Sequence, residues 1–388
     1  MTEPMPRLLI VGAGDLAGQV LYQLARDLRP VAVTLGGRRD AEVRGKVNLA
    51  RLAALQVGRQ PVVDGRRVDL DDVDATAETI AALRPDVIFN TASLQSWWVI
   101  GTLPPAAFQR LYRANFGPWL PMHLTPALRL MTAVRRSGVR PVVVNAAYPD
   151  AVHPVLHTAG LAPDAGIGNV ANNVPALRLI AAERLGVPVR DVGVRFVAHH
   201  YVSHHVSRTG DAEPDTFRLQ VTVKGADRTA DVDAGTLFLP LTSSHRRLGG
   251  MAGQLMTAAS ALSVLRPLLH GDAAQAHAPG VGGLPGGYPV RIGHGAVVLD
   301  LPASVGLGDA VAVNEAGQRR DGIDRIRPDG TVEFTEESAG IMRESLGYDC
   351  RTMRLADCAD HALELGARYQ EYAARSGQDR TAAPTAVG

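Results

Sequence analysis

Cysteine is almost missing from this chain: Cys350 and Cys358 are the only two in 388 residues. That is too few for a disulfide framework or for a zinc site built on cysteine. Lysine is as scarce, with only Lys46 and Lys224, so nearly all positive charge is carried by arginine. No charge of either sign dominates: Lys and Arg total 40 against 39 Asp and Glu. A near-neutral balance argues against a general nucleic-acid binder, which needs a basic excess or a basic stripe. No apolar run reaches the roughly 18 residues of a membrane span. The first seven residues lack a signal-peptide pattern, so a cytoplasmic protein with no membrane partner is the expectation.

What is present is a large apolar fraction, 46%, beside only 20% charged residues. That is enough for a sizeable core, and the length suits two domains. The first half alternates strand and helix signals. Apolar runs at 8–11, 31–35, 66–70, 86–91 and 141–145 read as strands, and 15–27, 41–55, 75–83 and 106–137 as helices, the last interrupted at Gly117-Pro118 and Pro121. Such alternation predicts an α/β fold, a Rossmann-type doubly wound parallel sheet with right-handed crossovers. The second half changes character. It reads as an α+β domain, with helices over 172–185, 248–269, 336–345 and 356–376. Strands are predicted at 192–198, 217–223, 288–292, 296–301 and 310–314, with a hairpin around Pro328-Asp329-Gly330. The domains are set at 1–150 for dinucleotide binding and 151–376 for substrate and catalysis, with 377–388 a disordered tail. The helix over 248–269 is apolar enough to be buried between domains or between subunits, which leaves a homodimer open.

Gly12-Ala13-Gly14-Asp15-Leu16-Ala17-Gly18 follows the first strand and opens the first helix. Gly12 permits a tight turn, Gly14 lets the backbone approach a pyrophosphate, and Ala17 is the third small position, where helix and strand pack closely. The helix start at Asp15 and Leu16 presents N–H groups and a positive dipole end to phosphates. The second strand ends in Gly36-Gly37-Arg38-Arg39, where an NAD site usually carries an acidic residue. Two guanidiniums suit a ribose 2′-phosphate, so the expected cofactor is NADP, with NAD as the second choice. Asn90, Thr91 and Ala92 end the fourth strand and Asn145 the fifth, at the carboxyl edge where such folds bind ligands. Asn115 is expected to reach the same edge.

From the middle of the chain the motifs resemble those of the malate and lactate dehydrogenase superfamily. Leu111-Tyr112-Arg113-Ala114-Asn115 looks like the helix carrying that family's Arg-x-Asn pair, and the segment from Val143 through Asn145 to Asp150 is similar to the strand and turn that bring an Asn beside the nicotinamide. Phe196-Val197-Ala198-His199-His200 sits where the family has its catalytic histidine. The resemblance implies His199 as the proton-transfer residue, with His200 and Tyr201 next. The family's carboxylate partner falls on Asn172 or Asn173, an amide, and its substrate-clamping arginine on Pro175 or Ala176; Arg178 lies one turn further on and is the one substitute on that helix. A substrate other than a plain 2-oxo acid follows from that loss. Trp97 and Trp98 stand in the segment that covers the family's substrate. They either meet a large apolar or aromatic substrate, or at least one of them anchors that segment in the core.

His199, His200, His204 and His205 fall within seven residues. Helical spacing would put His200 and His204 on one face, as in metal-binding helices, but no carboxylate stands at the general-base position of such motifs, and no metal is expected. His245-Arg246-Arg247 either reaches the cleft or, as the leading reading, forms a solvated loop. The leading reading is an NADP-dependent oxidoreductase acting on a carbonyl, alcohol or imine of a small molecule. The alternatives are an opine- or imine-type reductase, which needs no carboxylate–histidine pair, and a nucleotide-binding protein without turnover.

Overall fold

The computed structural model describes residues 5–293 and 295–377, so the tail expected beyond 377 lies outside the described residues. Strand β1, Arg7–Val11, carries four successive buried apolar residues. A strand buried on both faces needs such a run rather than an alternation. It pairs in parallel with β2, Ala32–Gly37, and with β4, Val87–Asn90; β3, Val62–Arg67, lies outside β2, and β5, Val142–Asn145, and β6, Ala165–Gly166, continue beyond β4. The order β3-β2-β1-β4-β5-β6 reverses direction between β1 and β4. Ligands bind at that switch point, outside the carboxyl ends of the strands.

Helices α1 (Asp15–Leu24), α2 (Asp40–Gln56), α3 (Val73–Leu83), α4 (Pro105–Tyr112) and α5 (Leu120–Ser137) supply the crossovers, and α6 (Pro149–His157) follows β5. The predicted helix over 106–137 is broken where Asn115 adopts φ 58° and where Gly117 packs on the backbone of 321–322. A Cβ on Gly117 would lie 2.7 Å from the Asp321 carbonyl oxygen.

A second sheet is antiparallel: β7 (Val192–Ala198) pairs with β8 (Phe217–Val223) along its whole length and meets the strand Gly287–Gly293 on its other side. Helix α7, Val174–Leu185, packs on β7, and α8, His200–Thr209, leaves its end. Two expectations are corrected. The third strand forms at Val62–Arg67 rather than 66–70, because an edge strand paired only to β2 needs few apolar residues. Residues 310–314 are not a strand but lie in the helix Leu307–Arg320. Their run of alternating small and apolar residues is buried at Ala310, Val313, Asn314 and Gly317, the helical period.

The C-terminal helix Cys358–Arg375 returns to the first half of the chain: Thr125 donates to the Cys358 carbonyl and Tyr372 to the Ala107 carbonyl. The helix Gln254–His270 is preceded by a short 3-10 turn, Gly250–Gly253, and buries Ala258, Ala261, Leu262 and Leu265 against the parallel sheet's core. Those residues are thus covered within one chain, whereas Leu255 in its first turn is exposed. No helix among the described residues is long and apolar enough to cross a membrane.

Candidate active site

The turn after β1 is shaped by a single glycine. Gly12 has φ 98°, and a Cβ there would lie 2.7 Å from Thr91 Oγ1 and 2.9 Å from the Ala92 nitrogen. Thr91 Oγ1 in turn donates to the Val11 carbonyl at 3.0 Å. Gly14 is different: nothing lies within 4 Å of where its Cβ would be, and no side chain caps α1 above it. Open space at an uncapped helix N-terminus fits a phosphate. Ala17 is fully buried in the core, where its small size lets α1 lie close to the sheet.

A crevice of about 550 Å³ runs from Gly12 and Gly14 past Thr91 and Ala92 to Arg38 and Arg39. Arg39 is paired with Glu42 at 2.6 Å, and Asp71, also facing the crevice, is paired with Arg129. Arg38 is exposed and has no ion pair among the described residues. The crevice therefore fits a dinucleotide, with one free guanidinium at the end where the second strand finishes.

Asn90 and Asn145 do not face the crevice. They bond each other at 2.9 Å, side chain to side chain. Asn90 Oδ1 accepts the Ala92 N–H and Asn145 Oδ1 the Ala147 N–H, so the pair fixes the turns after β4 and β5. Asn115, in its left-handed conformation, faces a different cavity from the one expected, beside Tyr112 and Phe116.

The crevice shares Gly14, Thr91 and Ser96 with a second pocket of about 300 Å³, lined by His200, His204, Arg247, Tyr148, His123, Asn172 and Trp98. His200 is the first residue of α8. Its backbone N–H donates to Asp150 Oδ1 at 2.8 Å, and its Nδ1 lies 2.9 Å from Asp321 Oδ2. A carboxylate only accepts, so Nδ1 carries the proton and Nε2 is left to the pocket. Burial disfavours the charged imidazole, but Asp321 outweighs it and holds the His200 pKa above its usual value. Burial likewise works against the Asp321 carboxylate, and His200 overrides it, bringing the pKa down to about 2.

Tyr148 donates to the same Asp321 oxygen at 2.8 Å; burial, then Asp321, pushes its phenol far up, so it stays neutral. The His204 ring lies 4.5 Å from that of His200, and burial followed by His200 and Arg247 keeps it neutral. His123, buried with neither ring nitrogen bonded, is held down at about 3 by burial first.

Three expectations need correction. First, the histidine does have a carboxylate. It comes not from α7 but from Asp321, which follows the helix Leu307–Arg320 and lies 121 residues beyond His200. Second, Arg178 faces away from the pocket: its guanidinium bonds the Val192 and Val189 carbonyls at 2.9 and 3.2 Å. Third, His245-Arg246-Arg247 is not wholly solvated. Arg246 is exposed, but Arg247 lines the pocket, donates from Nη2 to Ser203 Oγ at 3.0 Å, and has Nη1 buried without a partner. Burial lowers its pKa to about 10, still fully charged at neutral pH.

His199 caps α8, accepting the Tyr201 N–H at 3.3 Å, and is wholly buried outside the pocket lining, with Gly317 packed on its Cβ. Tyr201 turns the other way, its hydroxyl 3.1 Å from His205 Nδ1 and 3.4 Å from Glu213, and burial first, then Glu213, raises its pKa to about 12. Asn173 accepts the Ser203 hydroxyl at 2.7 Å and ties α7 to α8. Asn172 lines the pocket with its Oδ1 unpartnered. Trp97 packs edge-on against Phe116 at 4.7 Å, and both Trp97 and Trp98 line the pocket. Among the described residues no group of three or more His, Cys, Asp or Glu is placed to hold a metal ion.

No family model matches the chain, and no curated protein matches it. Solved structures do. The lactate dehydrogenase of Cryptosporidium parvum, determined with lactic acid and nicotinamide adenine dinucleotide, superposes with a TM-score of 0.55 at 16% identity, over 82% of this chain and 97% of that one. The malate dehydrogenase of the same organism gives 0.54 at 15%, over 82% and 98%. The lactate dehydrogenase of Eimeria maxima, with NADH and oxamate, gives 0.54 at 14%, over 81% and 92%. At these identities the likeness is one of fold: a parallel nucleotide-binding sheet followed by an antiparallel sheet.

Proposed function

We propose that this chain, which has the fold of lactate and malate dehydrogenases, is an NADP-dependent oxidoreductase interconverting a carbonyl and an alcohol on a small anionic molecule. The observation that carries the reading is the His200–Asp321 pair, opening into a pocket that shares Gly14 and Thr91 with the dinucleotide crevice. Gly12, Gly14, Asp15, Leu16 and Thr91 hold the dinucleotide, with Arg38 on the 2′-phosphate. The bound cofactor supplies or accepts the hydride at the reacting carbon.

The protein's residues handle the rest. In reduction, the carbonyl oxygen gains the electron pair of its π bond and takes the proton from His200 Nε2; His200 regains a proton from solvent. In oxidation, neutral His200 accepts the hydroxyl proton at Nε2. Asp321 holds the ring's tautomer and supports its charged form. Asp150 anchors the backbone of His200 at the start of α8. Arg247 offers its free Nη1 to an anionic group of the substrate. The imine-reductase and non-catalytic readings drew support from a missing carboxylate, and Asp321 removes that support.

The cofactor assignment is tested by initial rates. NADPH should support turnover of anionic carbonyl compounds with a kcat/KM about 10–100-fold above that with NADH, as expected for one or two charge-assisted hydrogen bonds. Arg38→Ala should remove most of that preference, and Arg39→Ala less of it, since Arg39 is already paired with Glu42. Equal kcat/KM values for the two cofactors would contradict the assignment, and NADPH binding without oxidation by any carbonyl compound would contradict the activity.

A further inference from the structure

Beyond His200 lies another cavity, of about 160 Å³. Trp97, Phe116, His200 and His204 line both it and the reaction pocket, so the two spaces adjoin at the proton-transfer histidine. Trp97, Tyr112 and Phe116 give it aromatic walls, and Asn115, Asp321 and Arg208 add polar groups. Trp97 packs edge-on against Phe116 at 4.7 Å and tilted against Tyr112 at 6.2 Å, and the exposed Arg208 lies 4.4 Å over the Tyr112 ring. In size the cavity is comparable to the space of about 150 Å³ that one benzene ring fills. Aromatic walls and a guanidinium at the rim favour a flat, electron-rich group.

We propose that this cavity is a specificity pocket for an aromatic arm of the substrate, so that the substrate class is an anionic carbonyl or hydroxyl compound that carries an aryl group beside the reacting carbon. The anionic group lies on Arg247, the reacting oxygen on His200 Nε2, and the ring in the cavity behind Trp97 and Phe116. This rests on the proposed function, because it places the reacting carbon at His200. It also gives a physical ground for a poor fit of plain 2-oxo acids: a methyl group leaves the aromatic cavity unfilled and forfeits its burial.

Equilibrium binding separates this from the activity itself. Phenylpyruvate and pyruvate are titrated into the protein saturated with NADP⁺, which cannot donate hydride, and Kd is read calorimetrically. Phenylpyruvate is expected to bind roughly ten-fold or more tightly than pyruvate, the difference expected for burying an aromatic ring. His205→Trp, which fills the cavity from the exposed side of α8, should erase the difference; unchanged NADP⁺ affinity reports that the variant is folded. Tyr112→Trp fills the opposite wall and should do the same. Equal Kd values for the two acids, or a preference for phenylpyruvate that survives both substitutions, would overturn the pocket. Absence of NADPH oxidation with the preference intact would instead count against the proposed activity and leave the pocket standing.

Discussion

His200→Asn should lower kcat for carbonyl reduction by about 10²–10⁴-fold, the usual worth of a positioned general acid, while NADPH affinity stays unchanged. The site holds no ready substitute. His204 is kept neutral by burial and by the charges of His200 and Arg247, His123 by burial, and Tyr148 has its proton committed to Asp321. His199→Asn should have a smaller effect on kcat, since its ring lies outside the pocket and its Nδ1 serves as the cap of α8. Steady-state rates and a fluorescence titration of NADPH on both variants check this. A larger kcat loss from the His199 substitution than from the His200 one would move the proton-transfer role back by one residue.

Arg247→Met should raise KM for an anionic substrate by roughly 10²-fold, the value of two charge-assisted hydrogen bonds in a water-poor site. Methionine keeps the apolar stem and removes the charge, so packing beside the Gly250–Gly253 turn survives. Removal of that charge also lifts one of the influences holding His204 down. Uncharged aldehydes or ketones should be turned over by Arg247→Met about as well as by the native protein. Comparison of KM for a charged and an uncharged carbonyl compound in the two proteins decides the matter, and a parallel rise for both would mean that Arg247 only shapes the pocket.

The half that builds the parallel sheet was legible because its signals are local. An apolar run closed by Gly12 is a buried strand, and the small residues after it have one structural use. The histidine segment was legible, but not which of its rings lines the pocket. The strand ends at Ala198 and the helix begins at His200, and whether His199 or His200 faces the cleft depends on where that boundary falls.

Asp321 left no local trace. It lies 121 residues from its partner and follows a segment whose alternating Ala and Val read equally well as a strand. The helix Leu307–Arg320 is recognisable only once Ala310, Val313 and Gly317 are seen packing against the second sheet and His199. Arg247 was hidden in a run of three basic residues, of which Arg246 alone behaves as such runs usually do. Charge runs mark exposure on average, but a single member can turn inward when Ser203 receives it. Helix α7 and the two residues before it offer neither a carboxylate nor a guanidinium to the pocket: Asn172 and Asn173 are amides, and Arg178 faces away. Asp321 meets His200 behind the pocket wall and Arg247 lines the pocket itself, both from elements later in the chain.

The pH dependence of kcat for reduction, compared between the native protein and Asp321→Asn, tests the central claim most directly. Reduction needs protonated His200. Its raised pKa places the alkaline fall in rate above pH about 6.5, the ordinary histidine value. With Asn at 321 the amide can still order the ring and meet Tyr148, but it cannot support the positive charge, and burial then dominates. The account predicts that the fall moves to lower pH by at least about one unit, with a large loss of kcat at neutral pH that partly recovers on acidification. A profile unmoved by Asp321→Asn would show that the proton does not pass through a histidine held by Asp321.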